Sequence, residues 1–333
     1  MTIHAILSSV RQNRRNLVFG AILASTSPHH SGKAAAAQTS RGVSGWVPGP
    51  ALPMPRSEFS ATVLEGQIFV AGGFGMETDV SSLNPTTGEW TRHAELPSPR
   101  HHLGLAALNG HVYVAGGHAG DTNSATETFW RLDPALDRWE DVAPLPQGPR
   151  GALGCAALDG KLYVAGGSSR DLAGPATADV ASFDPVDGVW TTLPPLPTAR
   201  EHLSLAAVAG KIIAIGGREG GDADPTLGAA TDLYDPVSGE WQRRAPLPVP
   251  RSGMGIASDG SSVIVLGGEG ADGIHTAVNR YDVETDTWSD LADLPIGRHG
   301  AAAVIFDRTL YAIGGSTLAW NVRNISGVDM LAI

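Results

Sequence analysis

The sequence is poor in the residues that several kinds of functional site require. It has one cysteine, Cys155, in 333 residues, which excludes an internal disulfide framework and zinc or iron–sulfur sites built from several thiolates. Basic residues are also scarce: 23 lysines and arginines stand against 34 aspartates and glutamates, and the net charge of -11 argues against nucleic acid as the main partner. No segment has the roughly 18 consecutive apolar residues that a membrane-spanning helix needs, so we expect no membrane span.

Turn-forming residues are abundant instead. The chain has 42 glycines and 23 prolines, yet 42% of its residues are hydrophobic and can supply a core. This composition excludes a disordered chain, a collagen and a helical bundle. It predicts many short strands.

The first 42 residues have the order of an export signal followed by a linker. Arg14 and Arg15 precede an apolar run at residues 17–24, and four alanines follow at residues 34–37. Adjacent arginines before an apolar segment and a small-residue cleavage site resemble a twin-arginine signal. The sequence predicts a periplasmic or secreted protein; a disordered or mis-started amino terminus is the alternative.

Three residue types recur 44 to 51 residues apart in the remainder of the chain. The glycine pairs are Gly72-Gly73, Gly116-Gly117, Gly166-Gly167, Gly216-Gly217, Gly267-Gly268 and Gly314-Gly315. The tryptophans are Trp46, Trp90, Trp139, Trp190, Trp241 and Trp288. The arginines are Arg56, Arg100, Arg150, Arg200, Arg251 and Arg298. A shared period in three residue types indicates a repeat architecture.

Each repeat predicts four strands. In the third one, a run of small apolar residues after Arg150 leads to the Asp159-Gly160 hairpin turn and a strand at Leu162–Ala165. A third strand ends near Phe183, and the fourth surrounds Trp190. Small residues in the first strand and tryptophan in the last suit a wedge-shaped sheet that is crowded at a central axis.

The pattern resembles the kelch repeat over residues 43–333. A glycine pair is followed by an aromatic residue near Asp-Pro and then by tryptophan. The aromatic position is Phe183, Tyr234 and Tyr281 in three repeats, and we assign it to Leu83, Leu132 and Val328 in the others. The resemblance implies an all-β fold, a six-bladed kelch β-propeller with four-stranded blades.

The sixth blade lacks one strand in the order of the chain. Only about residues 325–331 can form a strand after Gly314-Gly315, whereas Trp46 stands alone before the first recurring arginine. We therefore predict that Gly45-Trp46-Val47 supplies the outer strand of the last blade.

The candidate site lies on the face where the arginine links and the loops after the glycine pairs emerge. Those loops vary most in length, which suits a binding face on a rigid scaffold. Catalytic candidates, if the protein is an enzyme, are Glu269, Glu58, His118 and His202. Ligand-binding candidates are Arg218, His102, Arg56, Arg100, Arg200, Arg298 and His299.

Two interpretations of these residues remain open. Arginines around one mouth can bind the carboxylate of an anionic sugar through paired hydrogen bonds. The recurring arginines can equally hold neighbouring carbonyl groups, since residues that repeat often serve the repeat. Non-repeating residues such as Arg218 and Glu269 are the better functional candidates.

A metal or another cofactor is not expected. Glu269, Asp272 and His275 are similar in order to the iron-binding series of plant specifier proteins, but the spacing is shorter and acidic glycine-rich loops are mostly solvated turns. A copper radical site needs a cysteine linked to tyrosine, whereas Cys155 lies in the middle of a strand and reads as a core residue.

The sequence predicts a monomeric, exported binding module that recognises a protein or a glycan through the variable-loop face. The alternative is a cofactor-free sugar mutarotase resembling N-acetylneuraminate epimerase, because ring opening needs only a positioned acid and base.

Overall fold

The computed structural model describes residues 45–120, 122–171, 174–219, 225–319 and 322–333. The predicted export signal and linker, including Arg14 and Arg15, lie outside these residues. The described chain contains one short helix, Pro225–Gly228, and is otherwise built of strands, turns and loops.

Six four-stranded antiparallel sheets form the blades of a β-propeller, as the sequence predicts. The strands of blades 1 to 3, from inside to outside, are Ser60–Leu64, Gln67–Ala71, Val80–Asn84 and Glu89–Arg92; Gly104–Leu108, His111–Ala115, Phe129–Asp133 and Arg138–Asp141; and Gly154–Leu158, Lys161–Ala165, Val180–Asp184 and Val189–Leu193. Those of blades 4 to 6 are Ser204–Val208, Lys211–Ile215, Thr231–Asp235 and Glu240–Arg243; Gly255–Ser258, Ser262–Leu266, Val278–Asp282 and Thr287–Asp290; and Ala302–Phe306, Thr309–Ile313, Val328–Ala332 and Trp46–Pro48.

The amino-terminal strand closes the ring, which confirms the prediction. Trp46–Pro48 pairs antiparallel with Val328–Ala332, and Trp46 lies opposite Leu331. Every other blade places its aromatic or leucine position opposite its tryptophan, as Phe183 does with Trp190. The assignment of this position to Val328 was therefore wrong; Leu331 holds it, because the last blade begins its third strand later than expected.

The recurring tryptophans join neighbouring blades. Each indole Nε1 donates a hydrogen bond of 2.8 to 3.3 Å to a backbone carbonyl oxygen of the preceding blade. The accepting residue lies four positions after the tryptophan of that blade. Trp46 donates to Ala292 and so joins the two ends of the propeller.

The glycine pairs form a second set of contacts between blades. The second glycine of each pair donates its backbone N–H to the carbonyl oxygen of the arginine of the next blade, at 2.8 to 3.2 Å. In blade 4, a Cβ at Gly216 would lie 2.5 Å from the Arg251 oxygen, and its φ is +62°. The first glycine is needed because a side chain would block this approach.

Six hydrophobic clusters fill the spaces between adjacent blades. The innermost strands of neighbouring blades pack side by side around a central channel. Small side chains such as Ala61 and Cys155 line it, and the enclosed part has a volume of about 150 Å³. No helix of the described residues is long and apolar enough to cross a membrane.

Candidate functional site

The arginine links and the loops after the glycine pairs meet on one face of the propeller. In every blade the residue after the arginine forms a β-bridge with the residue after the glycine pair, as His101 does with His118 and Glu201 does with Arg218. We call this surface the loop face. It is the face that the sequence selects as the candidate site.

A closed ring of backbone hydrogen bonds surrounds the channel mouth on the loop face. It runs through the residue two places after each arginine: Glu58, His102, Ala152, His202, Gly253 and Gly300. Each backbone N–H donates to the carbonyl oxygen of the previous member at 2.8 to 3.0 Å, and all six have φ between 52° and 61°. This left-handed backbone fixes where the side chains of Glu58, His102 and His202 begin.

Glu58 lies between two histidines. Its carboxylate oxygens lie 3.2 Å from Nε2 of His102 and 3.0 Å from Nδ1 of His299. His299 also lies 3.8 Å from Glu269 and donates through Nε2 to the Leu318 carbonyl oxygen at 2.9 Å. Glu58 and His299 thus form an acid–base pair at the mouth.

Arg218 connects the other two carboxylates of the cluster. Its guanidinium donates to Glu201 at 3.0 Å and to Glu269 at 2.6 Å, and it lies 3.2 Å from Nε2 of His202. Glu201 also binds Nδ1 of His202. These side chains are almost fully buried, with Glu201 wholly so.

Glu201 is not among the residues that the sequence singles out for the site. An acidic residue directly after a recurring arginine reads as part of a solvated link. The sequence feature that could have identified Glu201 is its place directly after a recurring arginine. In every blade this residue pairs with the residue after the glycine pair and so lies at the loop face.

The charges of this cluster follow from its contacts. Burial opposes ionisation of Glu58, but its interactions with His102 and His299 outweigh burial and lower the pKa of Glu58. Burial alone would lower the pKa of His299, yet the hydrogen bond and charge of Glu58 raise it to about 9. Burial likewise opposes ionisation of Glu201, whose pKa His202 and Arg218 lower. At neutral pH Glu58 and Glu201 are ionised and His299 is protonated.

Three other histidines are neutral. Burial lowers the pKa of His101 and His118 to about 4 and that of His102 well below its usual value. Since His102 is neutral, the positive partner of Glu58 at neutral pH is His299. Neutral imidazoles are available as hydrogen-bond donors and acceptors and as metal ligands.

Two cavities open at this cluster. A cavity of about 90 Å³ at the channel mouth is lined by Glu58, His102 and His202. A cleft of about 230 Å³ between blades 4 and 5 is lined by Arg218 and Glu269 together with the apolar surface around Pro250. The mouth therefore accepts a small polar group, and the cleft accepts a larger one beside it.

The recurring arginines lie inside their own blades. Arg56 donates to Asp79 at 2.5 Å, Arg200 to Asp232 at 2.8 Å and Arg298 to Asp329 at 2.5 Å. Arg100 binds the Pro99 carbonyl oxygen and lies over the Trp130 ring. This placement fits the structural interpretation, and ligand binding by these four arginines stays a prediction that the geometry does not strengthen.

The three acidic-loop candidates do not share one centre. Glu269 points to Arg218, whereas His275 pairs with Asp272 at 3.2 Å. Among the described residues, two other sets bring potential metal-ligating atoms within 4.8 Å of one another: His101, His102 and His118, and Glu58, His102 and His202. Cys155 is half-buried on the wall of the central channel, not a fully buried core residue as the sequence predicts; burial raises the pKa of its thiol to about 12, so the thiol is protonated.

Comparison with known sequences agrees with the fold. The family model of the KLHDC2/KLHL20/DRC7 Kelch-repeats domain matches residues 36–217, and the Kelch motif matches residues 250–295. The chain belongs to the kelch-repeat family. The kelch repeats of this chain are similar to Kelch-like protein 35 of Mus musculus, with 31% identity over 232 residues that cover 69% of this chain and 38% of that protein.

A second relative is Kelch-like protein terF of Aspergillus terreus, with 30% identity over 237 residues that cover 65% of this chain and 50% of that protein. The kelch chain described here thus matches half or less of the length of these relatives. Among solved structures, the one titled "Structure of YjhT" superimposes with a TM-score of 0.72 and 18% identity, over 84% of this chain and 95% of the other. That likeness concerns the fold.

Proposed function

We propose that this kelch propeller is a binding module that receives a basic side chain of a protein partner at the mouth of the loop face. The observation that carries the proposal is the charge of the mouth. Three carboxylates, those of Glu58, Glu201 and Glu269, stand against two cations, Arg218 and protonated His299. Among these five side chains the carboxylates outnumber the cations by one.

The arrangement of Arg218 argues against an anionic ligand. Its guanidinium is already held between two carboxylates, so it offers little uncompensated positive charge to a sugar carboxylate. A lysine or arginine side chain would complete the charge balance of the cluster. Its aliphatic stem would lie along the apolar surface of the cleft at Pro250.

Binding of short basic peptides tests this proposal. We expect the purified protein to retain lysine- and arginine-containing peptides on a peptide array, with affinity that falls as salt is raised. Glu269→Gln should weaken this binding roughly 10- to 150-fold, since one charge contact at a buried site is worth roughly 1.5–3 kcal/mol. Glu284→Gln, an exposed residue in a turn of blade 5, is the matched control and should bind normally.

The opposite preference would reject the proposal. Retention of acidic peptides, or binding that is identical in wild type and Glu269→Gln, would show that the mouth charge does not select the ligand. A parallel glycan array separates the glycan interpretation: glycan binding without peptide binding would replace the protein partner with a sugar.

The acid–base pair of Glu58 and His299 favours a second candidate function, a cofactor-free sugar mutarotase. An ionised carboxylate and a protonated imidazole 3.0 Å apart can accept and donate the protons of ring opening. Anomer exchange of sialic acid and neutral hexoses, followed by NMR with wild type and Glu58→Gln, tests it. Exchange no faster with wild type than without protein would remove this candidate.

Export is a separate proposal and rests on the amino-terminal residues alone. Arg14 and Arg15 before an apolar run support recognition by a twin-arginine export system. We expect the full chain to appear in the periplasmic fraction and the Arg14→Lys, Arg15→Lys double variant to stay in the cytoplasm. Equal fractionation of both would reject it. Monomeric state stays a prediction.

A further inference from the structure

His101, His102 and His118 bring their ring nitrogens together beneath the loop face, beside the mouth. A ligand atom from each lies within 4.8 Å of the others. His101 and His118 are wholly buried and His102 is 8% exposed. The cluster is built by the β-bridge between His101 and His118, with His102 on the backbone ring.

The hydrogen bonds of two histidines fix which nitrogen carries the proton. Nε2 of His101 lies 2.9 Å from Oδ1 of Asn123, and Nε2 of His102 lies 3.2 Å from a Glu58 carboxylate oxygen. Both oxygens are acceptors, so both Nε2 atoms carry the proton in neutral imidazoles. The two Nδ1 atoms are therefore left with lone pairs.

These two lone pairs face each other. Nδ1 of His101 and Nδ1 of His102 are 2.6 Å apart. Two acceptors at this distance repel one another unless a cation lies between or beside them. The tautomers that Asn123 and Glu58 impose thus prepare a place for a proton or a metal ion.

His118 supplies an independent observation. It is wholly buried, and neither of its ring nitrogens makes a hydrogen bond of ordinary geometry to a described residue; the polar group nearest to serving as a partner is the backbone of Asp171. A buried imidazole without partners is costly, since each unsatisfied polar atom loses its interaction with water. Its ring lies 5.6 Å from each of the other two histidine rings, centroid to centroid. A metal ion shared with His101 and His102 would satisfy one of its nitrogens.

We propose that His101, His102 and His118 bind a divalent transition-metal ion of borderline softness, with Zn²⁺ as the representative. Neutral imidazole nitrogens suit such ions. Zn–N bonds of about 2.0–2.1 Å in tetrahedral geometry place two ligand nitrogens roughly 3.4 Å apart. Binding therefore requires the Nδ1 pair to widen by less than about 1 Å.

The surroundings match those of metal sites built from histidine. Metal-binding histidines usually donate their second N–H to a carboxylate or an amide oxygen, which is what Glu58 and Asn123 accept here. The imidazole of His102 separates the carboxylate of Glu58 from the proposed metal position, and this negative charge offsets part of the charge of the ion. The Phe74 ring lies 4.2 Å from the His101 ring, centroid to centroid, and excludes solvent from one side.

Metal titration of the chelator-treated, dialysed protein tests the site. We expect calorimetry with Zn²⁺ at pH 7.5 to give one equivalent bound, and Co²⁺ to give visible absorption bands of a low-symmetry site. His118→Ala should reduce Zn²⁺ affinity at least 100-fold. His111→Ala, which alters a hairpin histidine outside the cluster, is the matched control and should leave affinity unchanged.

A second variant keeps the test informative if His118→Ala does not fold. Asn123 is exposed and has a φ of 53°, which glycine tolerates, so Asn123→Gly should fold normally and weaken Zn²⁺ binding about tenfold by releasing the His101 tautomer. Less than one tenth of an equivalent of Zn²⁺ bound to wild type would overturn the proposal. Binding that neither variant changes would do the same, since it would place the ion elsewhere. The test uses no partner or sugar, so it is independent of the proposed function.

Discussion

His299 and His118 lie on the same face and are both buried, yet their protonation differs because their neighbours differ. His299 contacts Glu58 and lies near Glu269, and its pKa is raised to about 9. His118 has histidines around it, and its pKa falls to about 4. Burial lowers the pKa of both imidazoles, and of the two only His299 has a carboxylate in hydrogen-bond contact that reverses this effect.

This difference predicts how stability depends on pH. The raised pKa of His299 contributes on the order of 3 kcal/mol below pH 6.5, and this contribution is lost as pH rises through about 9. The free energy of unfolding of wild type should therefore approach that of His299→Gln between pH 6.5 and 9.5 in urea titrations. His111→Gln serves as the control, and a constant difference between wild type and His299→Gln would contradict the assignment.

Acidification acts in the opposite direction through His101 and His118. Their pKa values of about 4 lie below that of an unfolded histidine, so the unfolded chain binds more protons between pH 6.5 and 4. Stability should fall through this window.

For individual residues, the sequence predicted which side chains lie at the candidate site better than it predicted their contacts. Glu58, His102, His202 and Arg218 were predicted to lie at the mouth because their distance from a recurring arginine or glycine pair gives their position in the blade. The partners could not be predicted, since Glu58 meets His299 across 241 residues and local sequence carries no such pairing.

The glycine pair at the end of the second strand of each blade is where that blade contacts the next one. The first glycine of a pair lies under the carbonyl group of the next blade's arginine, while hairpin glycines such as Gly210 lie in open space. Both have positive φ, but only the first glycine also faces backbone of another blade. The repeat preserves the pair because a blade cannot dock without it.

Replacing glycine by alanine at the two kinds of position separates these causes. Gly210→Ala introduces only backbone strain, since nothing lies within 4 Å of the added Cβ, and should cost roughly 1–2 kcal/mol. Gly216→Ala also places Cβ 2.5 Å from the Arg251 oxygen and should cost roughly 3–4 kcal/mol. Urea unfolding measures both. Equal losses would mean that backbone conformation alone explains the pair.

Strand positions were predictable because each repeat carries its own turn residues. The exception is the third strand of blade 6, Val328–Ala332, which was expected at residues 325–331. It lacks the aromatic–Asp-Pro signal, so the pattern offered Val328 where the register has Leu331.

The propeller is a closed ring in which its first strand, Trp46–Pro48, and its last strand, Val328–Ala332, share one sheet. Trp46 contributes to the hydrophobic cluster between blades 5 and 6 and donates to Ala292. Six-fold repetition in the sequence made the blade number and this closure predictable, because one strand was missing at one end and one tryptophan stood alone at the other.

Removing the closing strand should therefore weaken the entire propeller. A chain that begins at residue 51 should unfold at a lower urea concentration, and over a broader range, than one that begins at residue 43. Trp46→Ala should account for roughly 3–5 kcal/mol of the loss. Circular dichroism and tryptophan fluorescence followed together measure it. Coincident curves with the same midpoint for the two chains would show that the ring does not depend on this strand.

The ring of six backbone hydrogen bonds at the mouth uses only peptide groups. Half of its positions, Ala152, Gly253 and Gly300, carry a methyl group or nothing, while the other half carry the acid and the imidazoles. Substitution at these three positions can therefore change which ligand is recognised and leave the ring of hydrogen bonds intact. The new residue must tolerate a left-handed backbone and must keep its backbone N–H, which excludes proline. Gly253 has the most room, with no atom closer than 3.7 Å to an added Cβ, and it is the natural starting point for engineering a new specificity into this propeller.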